Sequence, residues 1–206
     1  NSTSGKAKKG GFSGGGHGLR GFMVAYDVNT GDEIWRWYSS SEEDWVGDWI
    51  ETASGGESFN RDIKKEKENY KKYKDSWKLG GGSIWTTPAI DTELGLLYFG
   101  TGNPSPQMED STRPGDSRNT VSLVAVDVNT GKLKWAYQQV PHDRWGYDVA
   151  SPPVLFDFIK GGKSIKAVSQ ASKVGWLYVH NRATGELLMR SDAFVPQENL
   201  FARPTE

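Results

Sequence analysis

Ala25, Asp27, Val28, Asn29, Thr30, Gly31 and Trp35 return at the same offsets as Ala125, Asp127, Val128, Asn129, Thr130, Gly131 and Trp135. A weaker third copy runs over residues 179–189 and keeps Asn181, Thr184 and Gly185 at the corresponding places. Each copy reads as a strand, a tight turn and an antiparallel partner. The Asp or Asn carboxylate or amide can accept main-chain N–H groups across the turn, Thr can add a second such bond, and Gly supplies the positive φ that closes it. The tryptophan that ends the full copies is a large flat group able to pack between neighbouring sheets. Internal repetition of a β-hairpin is the signature of a propeller or another β-repeat fold.

The spacing of the copies predicts the organisation. Ala125 follows Ala25 by 100 residues, and Val179 follows Ala125 by 54. A four-stranded blade takes roughly 40 to 50 residues, so the first interval holds a blade and an insertion. The insertion is residues 39–82. Within it, Ile63, Tyr70, Tyr73 and Trp77 fall on one face of a helix over 60–77, capped by Asp62 or Asn60, and the Lys/Glu run reads as its solvated side. Strands are expected near 83–90, 95–102, 120–127 and 132–139 for one blade, and near 150–157, 164–170, 174–181 and 186–190 for the next. Residues 103–119 form a long Pro- and Gly-containing loop, and residues 1–16 a flexible Gly/Lys-rich segment. The expected fold is an all-β, β-propeller part with about two complete four-stranded blades, part of another and a helical insertion. All of 1–206 then belongs to one propeller domain. Two or three blades cannot close a ring, so remaining blades, or another chain, are expected to complete it.

The segment 80–104 reads as a hairpin turning at Glu93 and Gly95, with Trp85 on one strand and Asn103 just after the other. Such a hairpin can bring a flat ring near a hydrogen-bonding or metal-binding oxygen, which suits a planar cofactor. Lys and Arg total 25 against 26 Asp and Glu, and the basic residues gather in one polar segment without a base-stacking signature. No nucleic-acid partner is expected. Without cysteine there is no disulfide, thiolate metal site or cysteine nucleophile, and no apolar run reaches the length of a membrane span. The chain starts at Asn1, so processing or truncation is expected. The G-x-S-x-G match at residues 11–15 lacks the strand before and helix after that a nucleophile elbow needs. The G-x-G-x-x-G match at 16–21 leads into a strand, not a helix that could receive a pyrophosphate. His17, His142 and His180 are scattered singly, and His142-Asp143 reads as shaping a loop.

With these residues in view, the repeat resembles the tryptophan-docking motif of the quinoprotein alcohol dehydrogenases, eight-bladed propellers that use pyrroloquinoline quinone (PQQ). The resemblance runs from about Ser13 to Leu188. It includes Gly80-Gly81-Gly82-Ser83-Ile84-Trp85, Tyr98-Phe99-Gly100-Thr101-Gly102-Asn103-Pro104, Arg113-Pro114-Gly115-Asp116, Pro141-His142-Asp143-Arg144-Trp145 and Lys173-Val174-Gly175-Trp176. The resemblance implies that Trp85 stacks on PQQ, that Ser83 contacts it, and that Ser13, Gly14 and Gly15 reach its carboxylates. It also implies that Asn103 binds the metal, Ca²⁺ or a lanthanide ion, that Lys173 lies near the quinone oxygens, and that Asp148 is an extra aspartate of lanthanide-using members. A primary alcohol as substrate, a cytochrome-type electron acceptor and a periplasmic or secreted location come with the family.

Two positions depart from the family pattern. A metal-binding glutamate is replaced by Gly16 and the catalytic aspartate by Gly146. Asp148, two residues after Gly146, would lie on the same side of an extended chain and could take the proton instead. Two readings therefore stand side by side: an alcohol dehydrogenase, with Asp148 and Lys173 as its catalytic groups, and a non-catalytic PQQ-like propeller that serves as a binding or assembly scaffold. Trp85 as a core-filling residue is the plain alternative to Trp85 as a stacking platform.

Overall fold

A computed structural model describes residues 19–53, 56 and 58–195. Ser13, Gly14, Gly15 and Gly16 lie outside the described residues. The chain opens with β1 (Leu19–Arg20), β2 (Phe22–Tyr26) and β3 (Glu33–Tyr38), followed by α1 (Ile63–Tyr73) and β4 (Gly80–Gly81). Next come β5 (Ala89–Asp91), β6 (Leu96–Gly100), β7 (Ser122–Asp127) and β8 (Leu133–Gln138), and then β9 (Val154–Lys160), β10 (Lys163–Ala171), β11 (Leu177–Asn181) and β12 (Leu187–Arg190). β5 to β8 form one four-stranded antiparallel sheet in chain order and β9 to β12 a second, while β2 and β3 pair as a hairpin. Such meanders, one after another, are the blades that the repeats predict.

The middle sheet is buried on both faces, which is why β6 and β7 read as unbroken apolar runs. Side chains alternate across a strand, so Leu97, Phe99, Val124 and Val126 face Trp35 and Trp37 of the first hairpin. Leu96, Tyr98, Leu123 and Ala125 face Val168 of the third sheet. The repeat turns behave as their residue types require. Asp27 Oδ1 accepts from the main-chain N–H of Asn29 and Thr30, Asp127 Oδ1 from Asn129 and Thr130, and Asn181 Oδ1 from Ala183 and Thr184. Asp91 does the same for Glu93 and Leu94 in the turn that ends at Gly95.

Each repeat tryptophan docks on the turn of the following sheet. Trp35 Nε1 donates to Val128 O at 3.0 Å, and Trp135 Nε1 donates to Arg182 O at 3.0 Å. The turn glycines make room: a Cβ on Gly131 would come 2.5 Å from the Trp35 ring, and one on Gly185 2.7 Å from Trp135.

The insertion is helical where expected, with Asp62 capping α1 through the Lys65 N–H. Ile63 is buried, Tyr70 and Tyr73 are half-buried, and Trp77 belongs to a short 3-10 turn, Ser76–Lys78, beyond the helix. The charge run is not solvated throughout. Its lysines are exposed, but Glu66 turns inward, pairs with Arg61 at 2.7 Å and accepts the Gly115 N–H at 3.0 Å. Arg61 also binds Asp116 and Ile50 O, so an ionic knot holds the insertion to loop 103–119.

The expected strand 83–90 shrinks to Ala89–Asp91, and Trp85 therefore stands on no strand. Gly80, Gly81 and Gly82 all have positive φ, and Gly80 and Gly81 pair in parallel with Leu19 and Arg20 rather than running on into β5. The left-handed glycines divert the chain before Pro88 can enter the sheet.

Candidate functional site

Three segments meet at one end of the middle sheet. Gly82 N donates to Asn103 O at 2.8 Å, Gly102 N to Ser83 O at 2.9 Å, and Val149 N to Thr101 O at 3.1 Å. These bonds set 82–85, 100–104 and 148–149 side by side, and the glycines of the Gly100-Thr101-Gly102 run let them approach. A Cβ on Gly100 would meet Val149 O at 2.0 Å. A Cβ on Gly102 would meet Asp148 Oδ1 at 2.6 Å and Trp85 Nε1 at 3.3 Å.

The cluster built on this frame contains Ser83, Trp85, Asn103, Asp148 and Lys173. Asp148 is nearly buried; its Oδ1 accepts the Asn103 main-chain N–H at 2.7 Å and its Oδ2 pairs with Lys173 Nζ at 2.5 Å. Lys173 Nζ also stands 5.9 Å from the centroid of the Trp85 ring. Trp85 is 52% exposed in this chain and offers an indole face beside an ammonium. Asn103 Nδ2 donates to Pro104 O at 2.8 Å, while its Oδ1 accepts no hydrogen bond among the described residues. The structure thus brings together five of the residues singled out in the sequence, and Gly102 is the member that sequence reasoning passed over. Its place between Thr101 and Asn103 was the available signal.

Position 146 is built differently from the extended chain expected of it. Gly146 is buried with φ of +79°, and its N–H donates to Asp143 Oδ2 at 3.0 Å. Trp145 N and Tyr147 N donate to the same carboxylate, so residues 145–147 wrap around Asp143. The period-2 relation between positions 146 and 148 does not hold, because a left-handed residue breaks the alternation. Nor is Asp148 an idle carboxylate, since both its oxygens have partners. A Cβ on Gly146 would come 2.0 Å from Gln107 Nε2, a side chain no sequence motif pointed to.

The surrounding charges are structural. Arg113 is wholly buried, donates to Pro106 O, Ser117 Oγ and Asp143 O, and is pushed down to about 10 by that burial. Burial raises the Asp143 carboxyl above its usual range despite the three N–H donors. His142 is buried with Nδ1 2.6 Å from Gly115 O and Nε2 2.9 Å from Asp110 Oδ2, so it fastens the loop as expected. Burial pushes Asp110 up, but His142 and Arg144 outweigh it and hold this carboxyl at about 2.

The residues present can be weighed against the groups the resemblance implies. An exposed indole face with an ammonium beside it suits a planar, carboxylated molecule. A carboxylate and an amide oxygen are hard donors of the kind Ca²⁺ and lanthanide ions take, and bare Gly102 lets Asp148 come close to this frame. Among the described residues no group of three or more His, Cys, Asp or Glu gathers as a metal site. The chain therefore offers one stacking face with a positive charge beside it and two oxygen donors, a part of what each group takes, and both groups fit on those terms.

A family model described as the β-propeller domain of PQQ-linked glucose, ethanol and alcohol dehydrogenases matches residues 12–202. The chain is 35% identical over 191 residues to the lanthanide-dependent methanol dehydrogenase of Methylorubrum extorquens, covering 92% of the chain and 31% of that protein. It is 35% identical over 187 residues to subunit 1 of the cytochrome c methanol dehydrogenase of Methylobacterium organophilum, covering 86% of the chain and 28% of that protein. The crystal structure of quinohemoprotein alcohol dehydrogenase from Comamonas testosteroni superposes with a TM-score of 0.69 at 31% identity, over 93% of the chain and 28% of that structure. The chain spans about three tenths of the length of the relatives it matches.

Proposed function

The chain belongs to the PQQ-linked glucose/ethanol/alcohol dehydrogenase β-propeller family, and on that premise we propose that the protein it forms part of oxidises a primary alcohol with PQQ and a hard cation, Ca²⁺ or a lanthanide. The observation that carries this reading is the convergence of Trp85, Asn103, Asp148 and Lys173 around Gly102. When bound, the quinone accepts the electrons of the alcohol, and a cation beside it polarises its carbonyl.

The chain's own groups then divide the work. Trp85 offers its exposed face as a stacking platform and shields that side of the ring from water. Ser83 stands two residues before it with its hydroxyl free of the frame, which is built on its carbonyl. Lys173 supplies positive charge to an anionic ring system. Asn103 Oδ1 and Asp148 are the oxygen donors for the cation, and Asp148 is also the group of this cluster able to take the hydroxyl proton. Ser13, Gly14 and Gly15 are proposed to reach the cofactor's carboxylates.

A cytochrome-type acceptor is proposed from the likeness to the cytochrome c methanol dehydrogenase subunit. The remaining blades, or another chain, close the ring, and a periplasmic or secreted location accompanies this reading. Among the described residues no helix is long and apolar enough to cross a membrane.

A second reading has an observation of its own. Gly146 is left-handed and carries no carboxylate where the family pattern has its catalytic aspartate, which favours a propeller that binds a quinone-like ligand, or assembles, without turnover. Loading the full-length protein with PQQ and Ca²⁺ or La³⁺ and following dye-linked alcohol oxidation separates the two. Bound quinone with turnover supports the dehydrogenase, bound quinone without turnover supports the scaffold, and no bound quinone overturns the cofactor assignment.

A further inference from the structure

Asp148 carries the one carboxylate of the cluster, and Lys173 has already claimed its outer oxygen. The Oδ1 atom faces the frame through the Asn103 N–H, a bond that fixes the rotamer. The Oδ2 atom is paired with a side chain that is half exposed, on a flexible stem with three rotatable donors. One oxygen is therefore committed to the scaffold and the other to a partner that can leave without uncovering any core.

Two positive groups cannot share that oxygen without cost. Like charges about 4 Å apart repel strongly wherever water is partly excluded. Asp148 is 7% exposed, so the repulsion there is poorly screened. In this paired position the ammonium already lies 5.9 Å from the Trp85 ring centroid, at the edge of the range of about 6 Å over which an aromatic face attracts a cation, so a short swing of its stem leaves it beside the ring.

We propose that Lys173 is a displaceable counter-ion of Asp148: a hard cation taken up by the Asp148 carboxylate and the Asn103 amide oxygen displaces the ammonium, which turns instead to an anion stacked on Trp85. Cation and planar anion then bind cooperatively, with Lys173 carrying part of the coupling, because each ligand relieves a cost imposed on the other. Bare Gly102 lets Asp148 Oδ1, Ser83 O and Trp85 Nε1 crowd around one point, so the carboxylate and the indole stand no more than about 6 Å apart. This deepens, and rests on, the cation-and-quinone reading above, but its test requires neither quinone nor turnover.

Tb³⁺ is a suitable probe, because a nearby excited indole sensitises its emission. In the full-length protein, Tb³⁺ titration with indole excitation is expected to give saturable emission that Asp148→Asn abolishes. Lys173→Met is expected to bind Tb³⁺ more tightly by a factor within the range of about 5 to 150 usual for coupled sites. Lys173→Arg, which keeps the charge, stays near the parent. Limited acetylation read by mass spectrometry at position 173 is expected to quicken as Tb³⁺ saturates, since the amine is released. A merely remote field effect would leave that rate unchanged. No Tb³⁺ emission, emission that persists in Asp148→Asn, a Lys173→Met affinity equal to that of Lys173→Arg, or unchanged acetylation each overturns the exchange. A protein that turns over alcohol with quinone yet fails these tests loses only this inference. One that passes them but never holds quinone loses only the functional reading.

Discussion

Gly131 has no side chain where the Trp35 ring lies: a Cβ there would sit 2.5 Å from Trp35 Cε3. The same glycine has φ of +67°, so a larger residue is opposed both by the ring and by its own backbone. Gly131→Ala is expected to lower stability by about 1–3 kcal/mol through overpacking and strain. Chemical denaturation followed by tryptophan fluorescence measures it; a loss below about 0.5 kcal/mol, the level of an ordinary surface change, would show that the dock is not under tension.

Gly102 makes a different kind of close approach, to a side chain of the proposed site rather than to a structural ring. Gly102→Val places a branched Cβ 2.6 Å from Asp148 Oδ1 and 3.3 Å from Trp85 Nε1. Quinone absorbance retained after dialysis should fall at least tenfold, while the far-ultraviolet circular dichroism keeps the strand signature. Retention equal to the parent would place the cofactor elsewhere.

Gly146→Asp restores the carboxylate of the family pattern in sequence but not in space. At φ of +79°, with Gln107 Nε2 2.0 Å from the new Cβ, the single substitution is expected to destabilise the protein without raising dye-linked oxidation. Combining it with Gln107→Gly removes the clash, and a rise in rate is expected only in the pair. A single variant as active as the double one would mean that Gln107 does not govern this position.

Acid should loosen loop 103–119, and with it the insertion that Glu66 ties to this loop, before the sheets. The Asp110 carboxyl is held at about 2, below its ordinary 3.8, so its pairing with His142 and Arg144 stabilises the fold fully above pH 4 and is lost as pH falls towards 2. Glu66, also held low against the opposing effect of burial by Arg61 and His142, acts in the same direction. Hydrogen exchange in α1 and loop 103–119 should rise between pH 4 and 2 ahead of exchange in β6 and β7, and Asp110→Asn should flatten that dependence. Simultaneous loss in all four segments would argue against a separate latch.

Much of the architecture was legible in the sequence because its signals are local. The Asp-x-x-Thr-Gly turns announce themselves through side-chain-to-main-chain bonds spanning two or three residues, and the apolar runs of β6 and β7 reflect burial on both faces. The strand pattern around Trp85 misleads because nothing local reveals that three successive left-handed glycines turn the chain aside. Glu66 was invisible as an inward group because its partners Arg61, Gly115 and His142 come from three segments. Of the site, the nearness of Trp85 and Asn103 is readable from their hairpin and Asp148 and Lys173 enter only through the family resemblance, whereas the pairing of Asp148 with Lys173 and the approach of Gln107 to Gly146 are long-range contacts that spacing alone does not encode.

The docking of each tryptophan on the turn that comes after it also gives the stack a direction. Trp35 precedes its socket at Val128–Gly131, and Trp135 precedes its socket at Arg182–Gly185. During synthesis from the amino end, every ring is made before the turn that receives it, so each new sheet closes onto a template already in place. Assembly can thus proceed sheet by sheet in the order of translation, each ring staying undocked until its turn is made, 93 residues on for Trp35.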